Sequence, residues 1–392
     1  MTGCFSFLSR RSPHSDHSRE LDEEISGMHN VKLFSYKELR LATDDFCDAN
    51  KIGEGGFGDV FKGQLKGGQG AAIKVLSAQS RQGVKEFLTE IKVISEIKHV
   101  NLVKLYGCCV EGNHRILVYN YLPNNSLSQT LLCNASPMHL DLTISLLCGN
   151  IQFSWKTRFR ICIGIARGLA YLHEEVKPYI VHRDIKASNI LLDGDLTPKI
   201  SDFGLAKLIP DNETHVSTRV AGTLGYLAPE YAVGGHLTRK ADIYSFGVLI
   251  LEIVCGSCNT NLRLPAQEQF LLERTWDLYE RNELVGLVDI SLDGDFDAEE
   301  ACRFLKVGLV CTQENPKRRP SMSTVVKLLT GEQNVHNHNI TRPGLISDLM
   351  DLKVRGPSKS SETKSSSYNA SSGGSEHQEE SNGQYKSRVT AR

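Results

Sequence analysis

The sequence predicts an α+β fold, and three observations support this prediction. A glycine-rich segment, residues 53–58, is followed by two stretches that alternate like strands, residues 60–65 and 71–76. The stretch from Ser80 to Ser95 then carries apolar residues at helical spacing. With 392 residues, 40% of them hydrophobic, the chain exceeds the usual size of a single domain, which fits two lobes with tails.

The glycine-rich segment has the pattern GxGxxGxV, from Gly53 to Val60. Glycine suits a loop whose backbone amides approach phosphate groups, because it places no Cβ in the way. A dinucleotide-binding fold uses the same string, but there a helix follows it and an acidic residue lies about 20 residues further on. Here no helix follows, and Gly67 and Gly68 turn the chain into the second strand. The segment therefore predicts a hairpin that folds over a nucleotide.

Lys74 lies on the second strand and is the candidate phosphate-anchoring lysine. A strand lysine is more often a solvated side chain, so the functional interpretation needs a partner. On the following helix, Glu90 falls beside Phe87 and Ile94 at the margin of the apolar stripe, whereas Glu86 is predicted to point away. We therefore expect Glu90 to pair with Lys74.

The segment HRDIKASN, residues 182–189, and the DFG triplet, residues 202–204, supply one proton acceptor and two metal ligands. Asp184 is the candidate base for a substrate hydroxyl, and Lys186 can reach a γ-phosphate as a point charge. Asn189 and Asp202 are the candidate Mg²⁺ ligands. This set predicts phosphoryl transfer, a reaction that depends on positioning and electrostatics more than on covalent help.

These motifs stand among further blocks that resemble the eukaryotic protein kinases from Asn50 to about Thr330, and within them the plant receptor-like and receptor-like cytoplasmic kinases. The blocks occur in the family's order: FSYKELRLATDDF, EFLTEI, NLVKLYG, LVYNYLPNNSL, IVHRDIKASNILLD, GTLGYLAPEYA, KADIYSFGVLILEI and PKRRPSM. The resemblance implies the bilobal protein kinase fold: a small β-rich N-lobe with one main helix (50–119), a hinge (120–122) and a larger helical C-lobe (123–330). A flanking helix (33–49) would precede these lobes.

The resemblance also implies an ATP site and its metal, Mg²⁺ or Mn²⁺. The hinge would meet adenine through backbone groups, with Tyr119 as gatekeeper, so Asn120 in place of the family's glutamate would not touch the chemistry. Asp242 would brace the catalytic loop, and Glu230 would pair with Arg319. The residues implied for ATP binding are Ile52, Gly53, Glu54, Gly55, Gly56, Phe57, Gly58, Val60, Ala72, Lys74, Tyr119, Asn120, Tyr121, Leu122 and Leu191.

Two residues resemble the pattern of serine/threonine kinases: Lys186, after the candidate base, and Thr223, in the loop before APE. The resemblance thus implies transfer from MgATP to serine or threonine hydroxyls of proteins, in cytoplasmic signalling. Thr223 is expected to contact Asp184 and Lys186. Arg183 carries a charge next to the base, and a phosphate on the activation loop is its expected partner. Thr218 is the first choice among the candidates Thr214, Ser217, Thr218 and Thr223.

A signalling scaffold of the same fold is the alternative, because kinase-fold proteins also bind partners without turnover. The enzyme is favoured because a scaffold is free to lose the chemical groups retained here, namely Lys74, Glu90, Asp184, Asn189 and Asp202. The expected partners are protein substrates, with a membrane receptor or co-kinase left open.

Charge and cysteine content narrow the class of protein. The net charge of −1 and the lack of a basic stripe give no support for a nucleic-acid partner, and none is expected. Eleven cysteines, an odd number, indicate a reducing compartment. Cys255 and Cys258 form a CxxC, but zinc needs a second ligand pair, so no metal site is expected there.

The ends of the chain are predicted to be disordered tails, residues 1–32 and 331–392. No secretory or membrane-spanning segment is predicted, so the protein is expected in the cytoplasm with at most peripheral contact to the plasma membrane. Thr2 breaks the myristoylation pattern, and palmitoylation of Cys4 and an incidental cysteine remain alternatives. Residues 133–152 look like an insertion, either a retained-intron product or a genuine surface insertion.

Overall fold

The computed structural model describes residues 31–55, 58–76, 81–132, 151, 153–261 and 269–345. These residues form the two-lobed α+β architecture expected from the resemblance, with a sheet-based small lobe and a helical large lobe. Cys4, Gly56, Phe57, almost all of the 133–152 insertion and the chain from residue 346 onward lie outside the described residues.

The small lobe is built on a six-stranded sheet with the strand order β1-β5-β6-β4-β3-β2. β1 pairs in parallel with β5, and the other neighbouring strands are antiparallel. The strands are β1 (Lys32–Leu33), β2 (Lys51–Gly55), β3 (Gly58–Gln64), β4 (Gly70–Leu76), β5 (Leu105–Glu111) and β6 (His114–Asn120).

The predicted hairpin is confirmed by the pairing of β3 with β4, which places Val60 opposite Lys74. Only glycine fits at the start of β3, because a Cβ on Gly58 would lie 1.9 Å from the carbonyl oxygen of Val75 and its φ is +128°. The hairpin therefore holds the end of the glycine-rich segment close against β4, the strand that carries Lys74.

The flanking helix predicted over residues 33–49 is shorter than expected. Helix α1 covers Tyr36–Ala42 and begins with a capping box, in which Ser35 and Glu38 each bind the other's backbone amide. The preceding residues form β1 instead, because they find an edge partner in β5, and a 3-10 turn follows at Asp48–Asn50. The main helix of the small lobe is α2 (Arg81–Ile94), as predicted.

The large lobe is mostly helical, and its core surrounds helix α6. Helix α6 begins after the N-cap Thr238 and ends before Gly256, a residue with φ of +62°. The helices are α3 (Leu127–Thr130), α4 (Trp155–Ala170), α5 (Pro229–Gly234), α6 (Arg239–Cys255), α7 (Leu271–Glu280), α8 (Ala298–Cys311) and α9 (Met322–Thr330).

Short two-stranded sheets in the large lobe carry the loops of the candidate site. β8 pairs with β9 and β10 with β7, while β11 pairs with β12 and so joins the activation segment (the activation loop, residues 202–230) to the chain that follows it. These strands are β7 (Tyr179–Val181), β8 (Ile190–Leu192), β9 (Pro198–Ile200), β10 (Lys207–Ile209), β11 (Val216–Ser217) and β12 (His236–Leu237).

Residues 331–345 were predicted to belong to a disordered tail, but the structure describes them as an ordered continuation of the chain beyond helix α9. The chain continues after α9 through a 3-10 turn at Val335–Asn337 and packs against the large lobe as far as Leu345. Val335 and Leu345 are only 3% and 9% exposed, so these isolated apolar side chains hold a polar segment in place.

Among the described helices, each falls short of the length and hydropathy that a bilayer span requires.

Candidate active site

A cleft of about 450 Å³ lies where the glycine-rich strands, the hinge and the catalytic loop meet. Most of the residues implied for ATP binding line it: Ile52, Gly53, Glu54, Gly58, Val60, Ala72, Lys74, Tyr119, Asn120, Leu122 and Leu191. Among the described residues, Tyr121 does not line the cleft, and its ring instead lies under the Lys62 ammonium group, 4.7 Å away. The structure thus brings the implied nucleotide residues together around one opening.

Sequence reasoning missed several residues that line the same cleft. They are Val103, Asn125, Ser126, Ser128, Gln129, Ser188 and Ser201. The mostly polar stretch from Asn125 to Gln129, which begins three residues after the hinge, was the available signal, because polar side chains near an adenine-binding segment suit a sugar or a peptide.

Lys74 lies between two carboxylates inside this cleft. Its Nζ is 3.2 Å from Oε2 of Glu90, which confirms the predicted pair, and 2.8 Å from Oδ1 of Asp202. Burial alone would lower the pKa of Lys74, but the charges of Glu90 and Asp202 raise it above its ordinary value. The lysine is therefore a fixed positive charge that joins helix α2, strand β4 and the DFG triplet.

Glu90 is almost fully buried and also accepts a hydrogen bond from the hydroxyl of Tyr119. Burial raises the pKa of Glu90, while the neighbouring Lys74 charge acts in the opposite direction. The gatekeeper position and helix α2 are thus tied to each other through one carboxylate.

Glu86 was predicted to point away from the protein, and this prediction is wrong. Its side chain is buried, with the residue only 5% exposed, and its Oε1 accepts a 2.7 Å hydrogen bond from Gln82. Glu86 and Glu90 are four residues apart, which places them on one face of α2. Glu86 also packs on the DFG triplet, since a Cβ on Gly204 would lie 3.2 Å from its Cβ.

Asp184 is held by three donors on the catalytic loop and the activation segment. Its Oδ1 accepts from the Thr223 hydroxyl at 2.6 Å, and its Oδ2 accepts from the Asn189 amide at 3.1 Å. The Nζ of Lys186 lies 2.8 Å from Oδ2 of Asp184 and donates to the Thr223 hydroxyl, also at 2.8 Å. The predicted contacts of Thr223 with Asp184 and Lys186 are therefore confirmed.

The catalytic loop, residues 182–189, is braced by Asp242, as the resemblance implied. This buried carboxylate accepts from the backbone amides of His182 and Arg183 at 2.7 and 2.8 Å, and from the ring of His173 at 2.9 Å. Burial would raise the pKa of Asp242, but the hydrogen bond and charge of His173 hold it below the ordinary value. The brace supports Arg183 in a left-handed conformation, with φ of +72°.

Asn189 and Asp202 line the cleft together and offer the oxygen donors that Mg²⁺ prefers. The amide nitrogen of Asn189 donates to the backbone and side chain of Asp184, which leaves its amide oxygen for a metal. Burial would raise the pKa of Asp202, but the Lys74 charge lowers it, so this group is a carboxylate. The donor set fits a hard divalent cation.

Arg183 binds neutral acceptors in this structure. Its guanidinium donates to the hydroxyl of Tyr231 at 2.6 Å and to the carbonyls of Leu205 and Arg219 at 2.9 and 2.8 Å. The phosphate expected on the activation loop would add negative charge beside the Arg183 guanidinium, which already orders the activation segment through neutral acceptors. Ser217 is exposed and lies in β11, opposite His236 of β12.

The predicted pair of Glu230 and Arg319 is confirmed as a bidentate contact. The two guanidinium nitrogens of Arg319 lie 2.7 and 2.9 Å from the two carboxylate oxygens of Glu230. Arg319 is only 1% exposed, so the pair fixes the end of the activation segment to the core of the large lobe.

Comparison with known proteins agrees with this geometry. A sequence model described as protein tyrosine and serine/threonine kinase matches residues 47–329. The chain is similar to Cold-responsive protein kinase 1 of Arabidopsis thaliana, with 68% identity over 346 residues that cover 88% of this chain and 86% of the relative. Two probable leucine-rich-repeat receptor-like serine/threonine-protein kinases of the same plant are 51% identical over 346 residues, but this chain spans only 31% of their length.

Proposed function

This chain belongs to the protein tyrosine and serine/threonine kinase family and is a serine/threonine kinase, and on that premise we propose how its site works. The γ-phosphoryl group of MgATP passes to a serine or threonine hydroxyl of a protein substrate, with Asp184 as the base. The observation that carries this proposal is the cluster of Thr223, Lys186 and Asn189 around the carboxylate of Asp184.

Asp184 takes the proton of the substrate hydroxyl as that oxygen forms its bond to the γ-phosphorus, and the bond from this phosphorus to the bridging oxygen breaks to release ADP. The three donors hold the carboxylate in one orientation, and the brace from Asp242 fixes the loop beneath it. A base held in place in this way contributes mainly through alignment, since the loose transition state of phosphoryl transfer needs little covalent help.

Lys186 and Lys74 supply positive charge at the two ends of the transferred group. Lys186 joins Asp184 to Thr223 and so stands beside the acceptor oxygen, while Lys74 stands beside Asp202 and orients the anchored phosphates. Asn189 and Asp202 would hold Mg²⁺, whose chemistry would be to neutralise the charge of the phosphates. Together these groups give the site its preference for a metal-bound nucleoside triphosphate.

The setting of this activity is also a proposal. Relatives of the chain include receptor-like kinases, which supports cytoplasmic signalling with a membrane receptor or co-kinase as partner. The name of the 68% identical relative makes cold exposure the first condition to test. Autophosphorylation at Ser217 or Thr218 would add control at the activation segment. The scaffold alternative has less support, because Lys74, Lys186, Asn189 and Asp202 line the cleft and Asp184 contacts Lys186 and Asn189.

A comparison of two lysine variants tests the proposal. Wild type, Lys74→Met and the exposed control Lys66→Met are each incubated with MgATP and a cell extract whose own kinases have been inactivated. New phosphosites are then mapped by mass spectrometry. We expect serine and threonine sites with wild type and Lys66→Met, and none above background with Lys74→Met. Equal phosphosite yields from Lys74→Met and wild type would contradict the proposal.

A further inference from the structure

The segment after the last helix runs back across the base of the large lobe. We call residues 341–345 the C-terminal strap. Pro343, Gly344 and Leu345 are buried, and the amide of Gly344 donates to the carbonyl of Thr312 at 3.0 Å. The Thr341 hydroxyl donates to Oε1 of Gln313 at 2.9 Å. The strap is thus bound along one side of the loop formed by residues 312–314.

The other side of that loop holds Arg319. The Nε of Arg319 donates to the carbonyl of Gln313 at 2.8 Å, and one terminal nitrogen donates to the carbonyl of Glu314 at 3.3 Å. The same guanidinium binds Glu230, the first acidic residue of helix α5. The loop therefore connects the strap to the Glu230 and Arg319 pair through hydrogen bonds alone.

Two further contacts connect the strap to the same pair independently of that loop. The hydroxyl of Tyr244 donates to the carbonyl of Gly344 at 2.7 Å, and the Arg319 guanidinium lies 5.0 Å from the centre of the Tyr244 ring. Gly344 also packs directly on α5, since a Cβ there would lie 2.9 Å from Cγ of Pro229. The approach is close enough that only glycine fits without a shift.

Helix α5 in turn positions the segment that completes the site. The hydroxyl of Tyr231 in α5 accepts from the amide of Ala221 at 3.0 Å and from Arg183. Thr223, two residues after Ala221, donates to Asp184. A displacement of α5 would therefore reach Thr223 through a short, continuous series of contacts.

We propose that the C-terminal strap is a positioning element of the kinase. Its contacts with Thr312, Tyr244 and Pro229 fix the position of α5, and α5 in turn fixes the position of the substrate side of the activation segment. The claim about catalysis rests on the function proposed above. The claim about position does not, because it concerns contacts that exist without substrate. Among the described residues, none of those that line the nucleotide cleft takes part in these contacts, so the strap acts on the protein substrate and leaves ATP binding alone.

Full-length variants test the strap. Gly344→Ala places a methyl group against Pro229, and Tyr244→Phe removes one hydroxyl while it keeps the ring beside Arg319. Gly286→Ala is the matched control, since a Cβ at Gly286 meets no described atom within 4 Å. The readouts are hydrogen exchange of residues 219–234 and of the strap, the KM for a protein substrate, kcat, and the Kd for ATP.

We expect both variants to speed hydrogen exchange in the strap and in residues 219–234. They should also lower kcat/KM for the protein substrate through KM, by up to about 10²-fold, the loss that a misplacement of about 1 Å remote from the chemistry can cause. The Kd for ATP should be unchanged in both variants. The Gly286→Ala protein should match wild type in every readout. Faster exchange in the strap with unaltered exchange in residues 219–234 would overturn the proposal, as would unaltered exchange in both. If wild type itself transferred no phosphate, the proposed function would fail while the exchange data still decided the role of the strap.

Discussion

The hydroxyl of Thr223 donates a 2.6 Å hydrogen bond to Oδ1 of Asp184. The same hydroxyl accepts from Lys186, so a residue of the activation segment completes the environment of the candidate base. This contact makes the state of the activation segment part of the site, because Asp184 keeps its full set of donors only while Thr223 stays in place.

Thr223→Val should therefore lower kcat by roughly tenfold to 10²-fold, since the substitution keeps the shape of the side chain and removes one positioning hydrogen bond. Thr223→Ser is the matched variant and should keep most activity. Steady-state rates at saturating ATP measure the effect. A Thr223→Val enzyme as fast as Thr223→Ser would show that the hydroxyl does not position the base.

Glu252 gives the protein a pH-dependent stability. It is 1% exposed, and burial raises its pKa from an ordinary 4.5 to about 7, although Tyr226 and the amide of Asn259 donate to it. Because folding raises this pKa, the folded protein keeps a proton that the unfolded chain releases. The contribution of Glu252 to the free energy of unfolding is most favourable below about pH 4.5 and becomes less favourable as the pH rises to about 7.

Glu252→Gln should then stabilise the protein at pH 8 relative to wild type, by on the order of 1–3 kcal/mol, and much less at pH 5. Urea unfolding at the two pH values measures the difference. Glu280→Gln, at an exposed position of α7, is the control and should show no such difference. An equal effect of Glu252→Gln at both pH values would exclude this group as the source.

The activation loop offers hydroxyls at Ser217 and Thr218 for control by phosphate. Arg183 already orders this segment through neutral acceptors, so a phosphate would strengthen an arrangement that exists without it. Ser217→Ala combined with Thr218→Ala should lower activity well below that of autophosphorylated wild type, and phosphatase treatment should bring wild type to the same level. Thr214→Ala is the comparison within the loop. A double variant as active as untreated wild type would remove the case for phosphate control.

Arg319 anchors the activation segment from a position that is 1% exposed. Arg319→Met removes every donor to Glu230 that this guanidinium supplies and leaves the carbonyls of Gln313 and Lys240 without their partner. We expect a loss of about 3–5 kcal/mol in the free energy of unfolding, the range seen when one partner of a buried ion pair is removed. The exposed neighbour Arg318→Met should cost far less in the same urea titration. Equal losses would show that the pair contributes little.

The sequence was sufficient where a local pattern determines the contact. The pair of Lys74 and Glu90 followed from strand alternation and helical spacing, and the hairpin from its glycines. Glu86 was assigned to the wrong face of its helix. A carboxylate at the edge of an apolar stripe can face either solvent or the protein, and its burial here depends on the DFG triplet that packs against it. The strap could not be predicted, since residues 331–345 show no apolar period and are held by single side chains and by Tyr244, a residue distant in sequence.

The central claim is that Asp184 is the base of a phosphoryl transfer. Its most direct test is the rate of transfer from γ-labelled ATP to a serine- or threonine-containing protein by Asp184→Asn, with the exposed Asp195→Asn as control and the Kd for ATP measured in parallel. If Asp184 has this role, Asp184→Asn should bind ATP as wild type does and transfer phosphate roughly 10²-fold to 10⁴-fold more slowly, the range for a lost general base. A transfer rate for Asp184→Asn equal to that of Asp195→Asn would contradict it.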